Sequence, residues 1–275
     1  MPDPAGMKAY CVNIESEISR RKHCEKQYEM SGIEHEFVPA VDGRIEEIQR
    51  PEAKSTHEST RWAAIDAAAL TLGFFNRGMN SPAKACALSH FRAWERAAAQ
   101  SDQDGLHHMV NEDDFKVGDL SGLPDTLQAI AQSDFDIVYL GYRGGESPRR
   151  PLLFQARQAW HRLKFLLSDR SLTSLLRRNF IVFRAPRRTR HPELMQAGMT
   201  WGGHAYVMNR KGADALMECN RNLRFLPDEA LRWVILEGKV KVGMSTTKHF
   251  ICEDFGSAIR SKEEHQDHHK RFPSE

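Results

Sequence analysis

The sequence predicts an α/β fold, a mostly parallel sheet flanked by helices, and three of its features carry that expectation. Residues 7–13 (MKAYCVN) read as a buried strand, 19–30 as a helix and 37–41 (FVPAV) as a second strand. Two strands joined by a helix lie parallel, because a long crossover returns the chain to the end where it began. A short apolar run, His108-Met109-Val110-Asn111, ends in three consecutive acids, Glu112-Asp113-Asp114. Its length suits a buried strand, and ligands of open α/β sheets gather at the C-terminal ends of such strands. Further on, strand-length apolar runs and helical stretches alternate again.

Each element has a local reason. Gly32 stops the first helix as a C-terminal cap. Asp42-Gly43 closes the second strand as a turn. Residues 61–72 are alanine-rich and predict a helix, followed by breaks at Gly73, Gly78 and Asn80. Ser81-Pro82 opens a clear helix, with serine as N-cap and proline at the first helical position, running through Ala99. Cys86, Ala87, His90, Trp94, Ala97 and Ala98 recur along it as one apolar face. Residues 135–140 (FDIVYL) predict a strand ending at Gly141. After a basic stretch comes the strand 203–208 (GHAYVM), then a helix capped by Asn209 and reaching about Cys219. Pro227-Asp228-Glu229 opens a helix stopped by Gly238, and 240–242 form a last short strand. One domain is expected over 1–260, with 149–190 a basic amphipathic insert and 261–275 a polar tail.

The chain has 275 residues and a net charge of +2, enough length to bury one large core. No apolar run approaches the ~18–20 residues that cross a bilayer. Residues 1–6 lack the basic start and apolar core of a secretory signal. A cytoplasmic protein is expected, peripheral at most on the inner face of the cytoplasmic membrane. The five cysteines are scattered and form no C-x-x-C pair, so neither a disulfide scaffold nor a zinc knuckle is indicated. Charge is uneven: about a dozen Arg and Lys residues and a single acid, Asp169, fall between Arg149 and Arg190. Trp160, Leu163, Phe165, Leu166 and Phe180 are interleaved with them, a mixture that suits an anionic membrane surface. A plain helical insert with solvated arginines is the competing reading. Nucleic acid is disfavoured, since no RNA- or DNA-binding motif accompanies the segment.

No G-x-x-x-x-G-K-[ST] loop, no strand-borne G-x-G-x-x-G and no G-x-S-x-G elbow occurs, which argues against P-loop, dinucleotide and serine-nucleophile enzymes. Polar residues at strand ends remain. Three adjacent carboxylates repel one another unless a cation holds them. Oxygen ligands of this kind suit Mg²⁺ or Mn²⁺, with phosphate oxygens completing the shell. A solvated polar loop is the alternative. Asn13 ends the first strand and Asp42 the second, so a base and ribose could lie across them while a diphosphate reaches the acids. Arg20 and Arg21 could face a phosphate or simply be solvated, and Asp42 could serve only its turn. His90, with Ser89 beside it, could be a ligand or a packed histidine. His249, before Glu253-Asp254, is a candidate additional metal ligand.

In order and spacing these pieces resemble glycosyltransferase family 25. Val12-Asn13-Ile14 with Arg20-Arg21 resembles its opening I-N-L-x(5)-R-R, and residues 37–43 its F-x-A-V-D-G segment. Ala85-Cys86-Ala87-Leu88-Ser89-His90 with Trp94 is similar to its G-C-A-L-S-H-x(3)-W helix, and Glu112-Asp113-Asp114 to its L-E-D-D motif. Tyr139-Leu140-Gly141, Gly203-His204-Ala205-Tyr206, Gly212-Ala213 and Pro227-Asp228 follow in the family's order, so that the matches span about residues 7 to 235.

The resemblance implies a GT-A type, Rossmann-like fold and a UDP-sugar donor, with galactose the expected sugar. It also implies Mn²⁺ or Mg²⁺, inversion, and a lipooligosaccharide, lipopolysaccharide or other surface-glycan acceptor, which a lipid would link to the membrane. In that reading Glu112 and Asp114 hold the metal. Asn13, Arg20, Arg21, Asp42, Gly43, Ser89, His90 and Asp113 form the donor site. Asp228, with Glu229 in reserve, deprotonates the acceptor hydroxyl. Both acids begin a helix, where the macrodipole favours ionised carboxylates; a plain helix-start acid pair is the alternative. Two readings of other classes compete. One is a binding module for membrane or nucleic acid with a degenerate catalytic site. The other is a metal-dependent phosphohydrolase, which calls for a richer His/Asp ligand set.

Overall fold

The computed structural model describes residues 6–56, 58–60, 62–63, 79–104, 106–144, 186–198 and 200–253. The basic insert, apart from 186–190, the 261–275 tail and most of the alanine-rich 61–72 helix lie outside the described residues; 62 and 63 are helical.

β1 (Lys8–Asn13), α1 (Ile18–Ser31) and β2 (Glu34–Pro39) form the expected parallel unit. β1 lies inside the sheet and is apolar almost throughout. β2 is the edge strand, and its sequence EHEFVP is accordingly polar. Only its Phe37-Val38 end gives an apolar signal, which is why the sequence places this strand late. Gly32 takes the left-handed φ of 68° expected of it, and its N–H bonds Tyr28 O.

α2 (Ser81–Asp104) starts where expected but is capped differently and runs on past Ala99. The Asn80 side-chain oxygen accepts the Ala83 N–H at 2.9 Å. Ser81 instead donates to Glu46 O and accepts from the Ile48 N–H, tying the loop after β2 to the helix start. Then follow β3 (His108–Glu112), β4 (Phe115–Val117), α3 (Leu123–Gln132), β5 (Ile137–Gly144), β6 (Arg187–Arg188), β7 (Leu194–Gln196) and β8 (Thr200–Met208). The described chain ends with α4 (Arg210–Asn220), α5 (Pro227–Glu237), β9 (Val242–Ser245) and β10 (Phe250–Cys252). Asn209 caps α4 through the Gly212 N–H, and Gly238 ends α5 at φ 66°, both as the sequence reads.

The main sheet has the order β2-β1-β3-β8-β5-β9-β7-β6, and β4 pairs with β10 in a separate ribbon. β1, β2, β3, β5 and β9 share one direction. β8 is inserted antiparallel between β3 and β5, and β7 runs antiparallel beside β9 and β6, so the sheet is mostly parallel in direction but mixed at its centre and at one edge. Helices cover both faces. Trp94 of α2, Tyr206 of β8 and Phe225 and Trp233 around α5 pack on one face. Tyr28 of α1, Phe115, Leu127 of α3 and Phe250 pack on the other. Each such side chain contributes about 1.5–3 kcal/mol by leaving water.

Two strand ends depart from expectation. β5 does not stop at Gly141; it continues to Gly144 with register shifts on either side of Gly141. A Cβ on Gly141 would stand 2.7 Å from Phe250 O, so this position needs glycine to let the backbone of β10 pass over it. The strand expected at 240–242 lies at Val242–Ser245, and it is not the last, because β10 follows.

Candidate active site

The acids sit in the turn between β3 and β4, at the C-terminal end of β3. Helix α1 clamps that turn from one side. Cys24 Sγ donates to Asp113 O, His23 Nε2 lies 2.8 Å from Phe115 O, and Gln27 Oε1 accepts the Val117 N–H. Tyr28 OH donates to the buried Asn111 side-chain oxygen at 2.7 Å. The turn is therefore fixed by side chains before any ligand arrives.

Both carboxylate oxygens of Asp113 are engaged. Asn13 Nδ2 donates to one of its oxygens and Arg20 Nη1 to the other, each at 2.8 Å. The structure thus brings Asn13, Arg20 and Asp113 together as one cross-linked set joining β1, α1 and β3. Asn13 Oδ1 is left buried without a hydrogen-bond partner. Arg21 turns the other way, its guanidinium 4.3 Å from the centre of the Phe37 ring and 3.6 Å from Glu25.

Asp114 has the opposite environment. Among the described residues its buried Oδ1 has no hydrogen-bond partner, and Oδ2 accepts from Cys252 Sγ at 3.5 Å. Burial, with the Glu112 and Asp113 charges beside it, pushes its carboxyl up to about 7. His204 of β8 faces the same point. Its Nε2 is also buried without a hydrogen-bond partner, and burial pulls the ring down to about 4. The charges of Arg143 and Lys248 add to that fall while Glu112 opposes it.

Glu112 points toward α2. Its Oε1 lies 3.4 Å from His90 Nε2, and Cys86 is the third side chain of that cluster. Burial alone would raise the Glu112 carboxyl, but His90, His204 and Arg20 outweigh it and hold the group low. His90 is fully buried, with Nδ1 3.4 Å from Tyr206 OH, which in turn accepts from Trp94 Nε1 at 2.6 Å. Ser89 is committed locally: it donates to Ala85 O and accepts the Val41 N–H, fastening the end of the β2 segment to α2. Asp42 is engaged by Arg44, which also reaches Glu17. Gly43 packs against the start of α2, where a Cβ would meet Pro82 Cα at 2.5 Å.

Asp228 and Glu229 open α5. Asp228 Oδ1 accepts the Glu229 N–H, and Glu229 Oε2 reaches back to the Leu226 N–H at 3.3 Å. Burial and the Asp228 charge push Glu229 up to about 8. Burial pulls the Arg232 guanidinium down, against the opposing charges of Asp228, Tyr139 and Glu229. Burial pushes the Cys86 thiol up, and the charges of Glu112, Asp228, Asp114 and Asp113 push it further. The start of α5 and the acid turn therefore share one electrostatic neighbourhood. The model of Glycosyltransferase family 25 (LPS biosynthesis protein) matches residues 7–231, a span that holds the acid turn and the start of α5.

The chain belongs to glycosyltransferase family 25. It is also similar to a protein of Acanthamoeba polyphaga mimivirus named as a glycosyltransferase, at 29% identity over 139 residues. That match covers 48% of this chain and 36% of the relative, so it spans little more than a third of the relative's length. No helix among the described residues is long and apolar enough to cross a membrane.

At the site, the expected additional metal ligand is elsewhere engaged. His249 is not placed to ligate a metal: Nδ1 lies 2.6 Å from Asp119 O and Nε2 2.9 Å from Thr126 Oγ1, so both ring nitrogens are occupied inside the core. Three residues near the acids carry no site role in the sequence reading: His204, which falls within the Gly203-His204-Ala205-Tyr206 match, Cys252 and Arg143. His204 sits in an otherwise apolar strand, a signal that a polar ring is being buried for a reason. Cys252 and Arg143 carry no such local signal.

Proposed function

We propose that this chain transfers a hexose, galactose first, from a UDP-sugar to a hydroxyl of a lipopolysaccharide-type or other surface glycan. The transfer inverts the sugar carbon and depends on Mn²⁺ or Mg²⁺, on a GT-A type fold. One observation carries the reading: Asp114 holds a buried oxygen with no partner, beside Glu112 and Asp113, at the C-terminal end of a central strand. Orphaned carboxylate oxygen and concentrated negative charge fit a divalent cation, and Asp114 with Glu112 beside it would hold one. When bound, such an ion supplies positive charge against the departing diphosphate.

The protein's own groups do the rest. Asn13 and Arg20 hold Asp113, and through it the turn that aims Asp114. Arg143 and Lys248 add cationic charge around His204, where phosphate oxygens would lie. Asp228 is the base that takes the proton of the acceptor hydroxyl. Glu229 suits that role less, because its carboxyl is pushed up to about 8 and its oxygen faces the Leu226 N–H. It shapes the first turn of α5 and so aims Asp228. The lipid-linked class of acceptor rests on the aromatic, arginine-rich sequence of 149–190.

Calorimetric titration of UDP and UDP-galactose, with and without Mn²⁺, tests the centre of this reading. Metal-dependent binding that Asp114→Ala abolishes supports it. No binding of either nucleotide to the wild type under any metal overturns it.

A further inference from the structure

The groups around Asp114 are not the all-oxygen set that three consecutive acids suggest. Three distant segments converge there: Asp114 from the β3–β4 turn, His204 from β8 and Cys252 from β10. One ligating atom from each lies within 4.8 Å of the others. Asp114 Oδ2 and Cys252 Sγ are 3.5 Å apart. Bonds of about 2.0 Å to oxygen and 2.3 Å to sulfur, set at a tetrahedral angle, place those two atoms about 3.5 Å apart.

Two further observations point to a ligand in this space. Among the described residues His204 Nε2 and Asp114 Oδ1 are both buried without a hydrogen-bond partner, a state that costs free energy unless something fills it. Gly202 keeps the approach to the ring open. It takes a left-handed φ of 75°, and a Cβ there would stand 2.8 Å from His204 Nε2.

We infer that Asp114, His204 and Cys252 form a three-ligand site for a transition-metal ion of the Zn²⁺ or Co²⁺ class, which it takes in strong preference to Mg²⁺. Imidazole and thiolate select such ions, whereas Mg²⁺ asks for oxygen and retained water. Three protein ligands leave a coordination position open for a phosphate oxygen, as catalytic zinc sites leave one for substrate. On binding, Cys252 gives its Sγ proton to solvent and ligates as thiolate, while His204 ligates as the neutral ring. The inference rests on the proposed role of Asp114 as cation ligand; it puts His204 and Cys252 in the place given above to Glu112, and a softer ion in the place given to Mn²⁺ or Mg²⁺.

Cobalt spectroscopy tests it without any turnover. Chelator-treated full-length protein is titrated with Co²⁺ while its absorption spectrum is recorded. A sulfur-to-cobalt charge-transfer band in the near ultraviolet is expected. It should vanish in Cys252→Ser and Cys252→Ala and survive in Cys86→Ala, which removes the thiol of the neighbouring Cys86, His90 and Glu112 cluster. His204→Ala should weaken Co²⁺ binding at least about tenfold. Equimolar Zn²⁺ should displace the cobalt, and a hundredfold excess of Mg²⁺ should not. Cobalt binding without the band, or a band that depends on Cys86 instead, overturns the ligand set. Mn²⁺-dependent UDP binding, measured on the same samples, separates the two readings. UDP binding that requires Asp114 but comes with no band leaves the transferase reading standing and removes this one. A band that requires Cys252, in protein that binds no UDP, does the reverse.

Discussion

On one side of the acid turn, Asp113 has both carboxylate oxygens engaged, one by Asn13 and one by Arg20. On the other side, among the described residues, Asp114 keeps one buried oxygen with no partner and accepts a weak thiol hydrogen bond at the other. The two residues are adjacent in the chain and identical in chemistry. The first is a structural tie, because its charge is spent within the protein. The second is held in a state that the fold alone does not satisfy, and such a state is kept where a ligand completes it. Environment, not residue type, divides the work between them.

The comparison breaks most directly at Asp114. Asp114→Ala should lower cation-dependent UDP binding by about a hundredfold or more, read by calorimetry. Without metal its melting temperature should equal or exceed that of the wild type, because an unsatisfied buried carboxyl has been removed. Asp113→Ala should behave in the opposite way. It leaves Arg20 and Asn13 without their acceptor and should cost about 2–4 kcal/mol in urea unfolding. A destabilised Asp114→Ala beside an unaffected Asp113→Ala would invert the assignment.

Glu229 gives a smaller effect with a definite sign. Its ordinary pKa is 4.5 and its folded value is about 8, so folding favours the protonated form. That stabilisation is fully present below about pH 4.5 and is lost as pH rises through about 8. Glu229→Gln keeps an acceptor for the Leu226 N–H and escapes the loss. It should be more stable than wild type at about pH 9, on the order of 1–2 kcal/mol, and gain nothing at about pH 4. Unfolding curves at the two pH values check this. The smallest effect belongs to Arg21, which resembles Arg20 only in sequence. Its 3.6 Å approach to Glu25 is an exposed i,i+4 pair, so Arg21→Ala should cost less than about 1 kcal/mol and leave UDP affinity unchanged, both measurable on one preparation.

Much of the framework is written locally. Gly32 and Gly238 as caps, Asn209 as an N-cap and the apolar run before the acids all depend on residues a few positions apart. The sequence could not show which acid would be neutralised. That depends on Asn13 and Arg20 arriving from β1 and α1, 100 and 93 residues away in the chain. Serine before proline has the local meaning of a cap, but Glu46 and Ile48 compete for the Ser81 hydroxyl and Asn80 takes the capping place. The acids that follow His249 mislead for the same reason, since its partners, Asp119 O and Thr126, lie more than a hundred residues earlier in the chain. His204 and Cys252 reach the site only because β8 enters the sheet antiparallel beside β3 and because β10 pairs with β4. The short strands β4 and β10 carry too few residues for a period to be read.

Gly141 has no functional group, yet it governs how near Cys252 comes to the acids. The backbone of β10 rests on it at Phe250, and a backbone oxygen cannot rotate aside as a side chain can. A single methyl at this position would lift the ribbon that carries Cys252, changing its 3.5 Å approach to Asp114 without touching either residue. The spacing of the reactive groups is thus written partly in a hydrogen atom, at a place in the chain where a search for chemistry would find nothing.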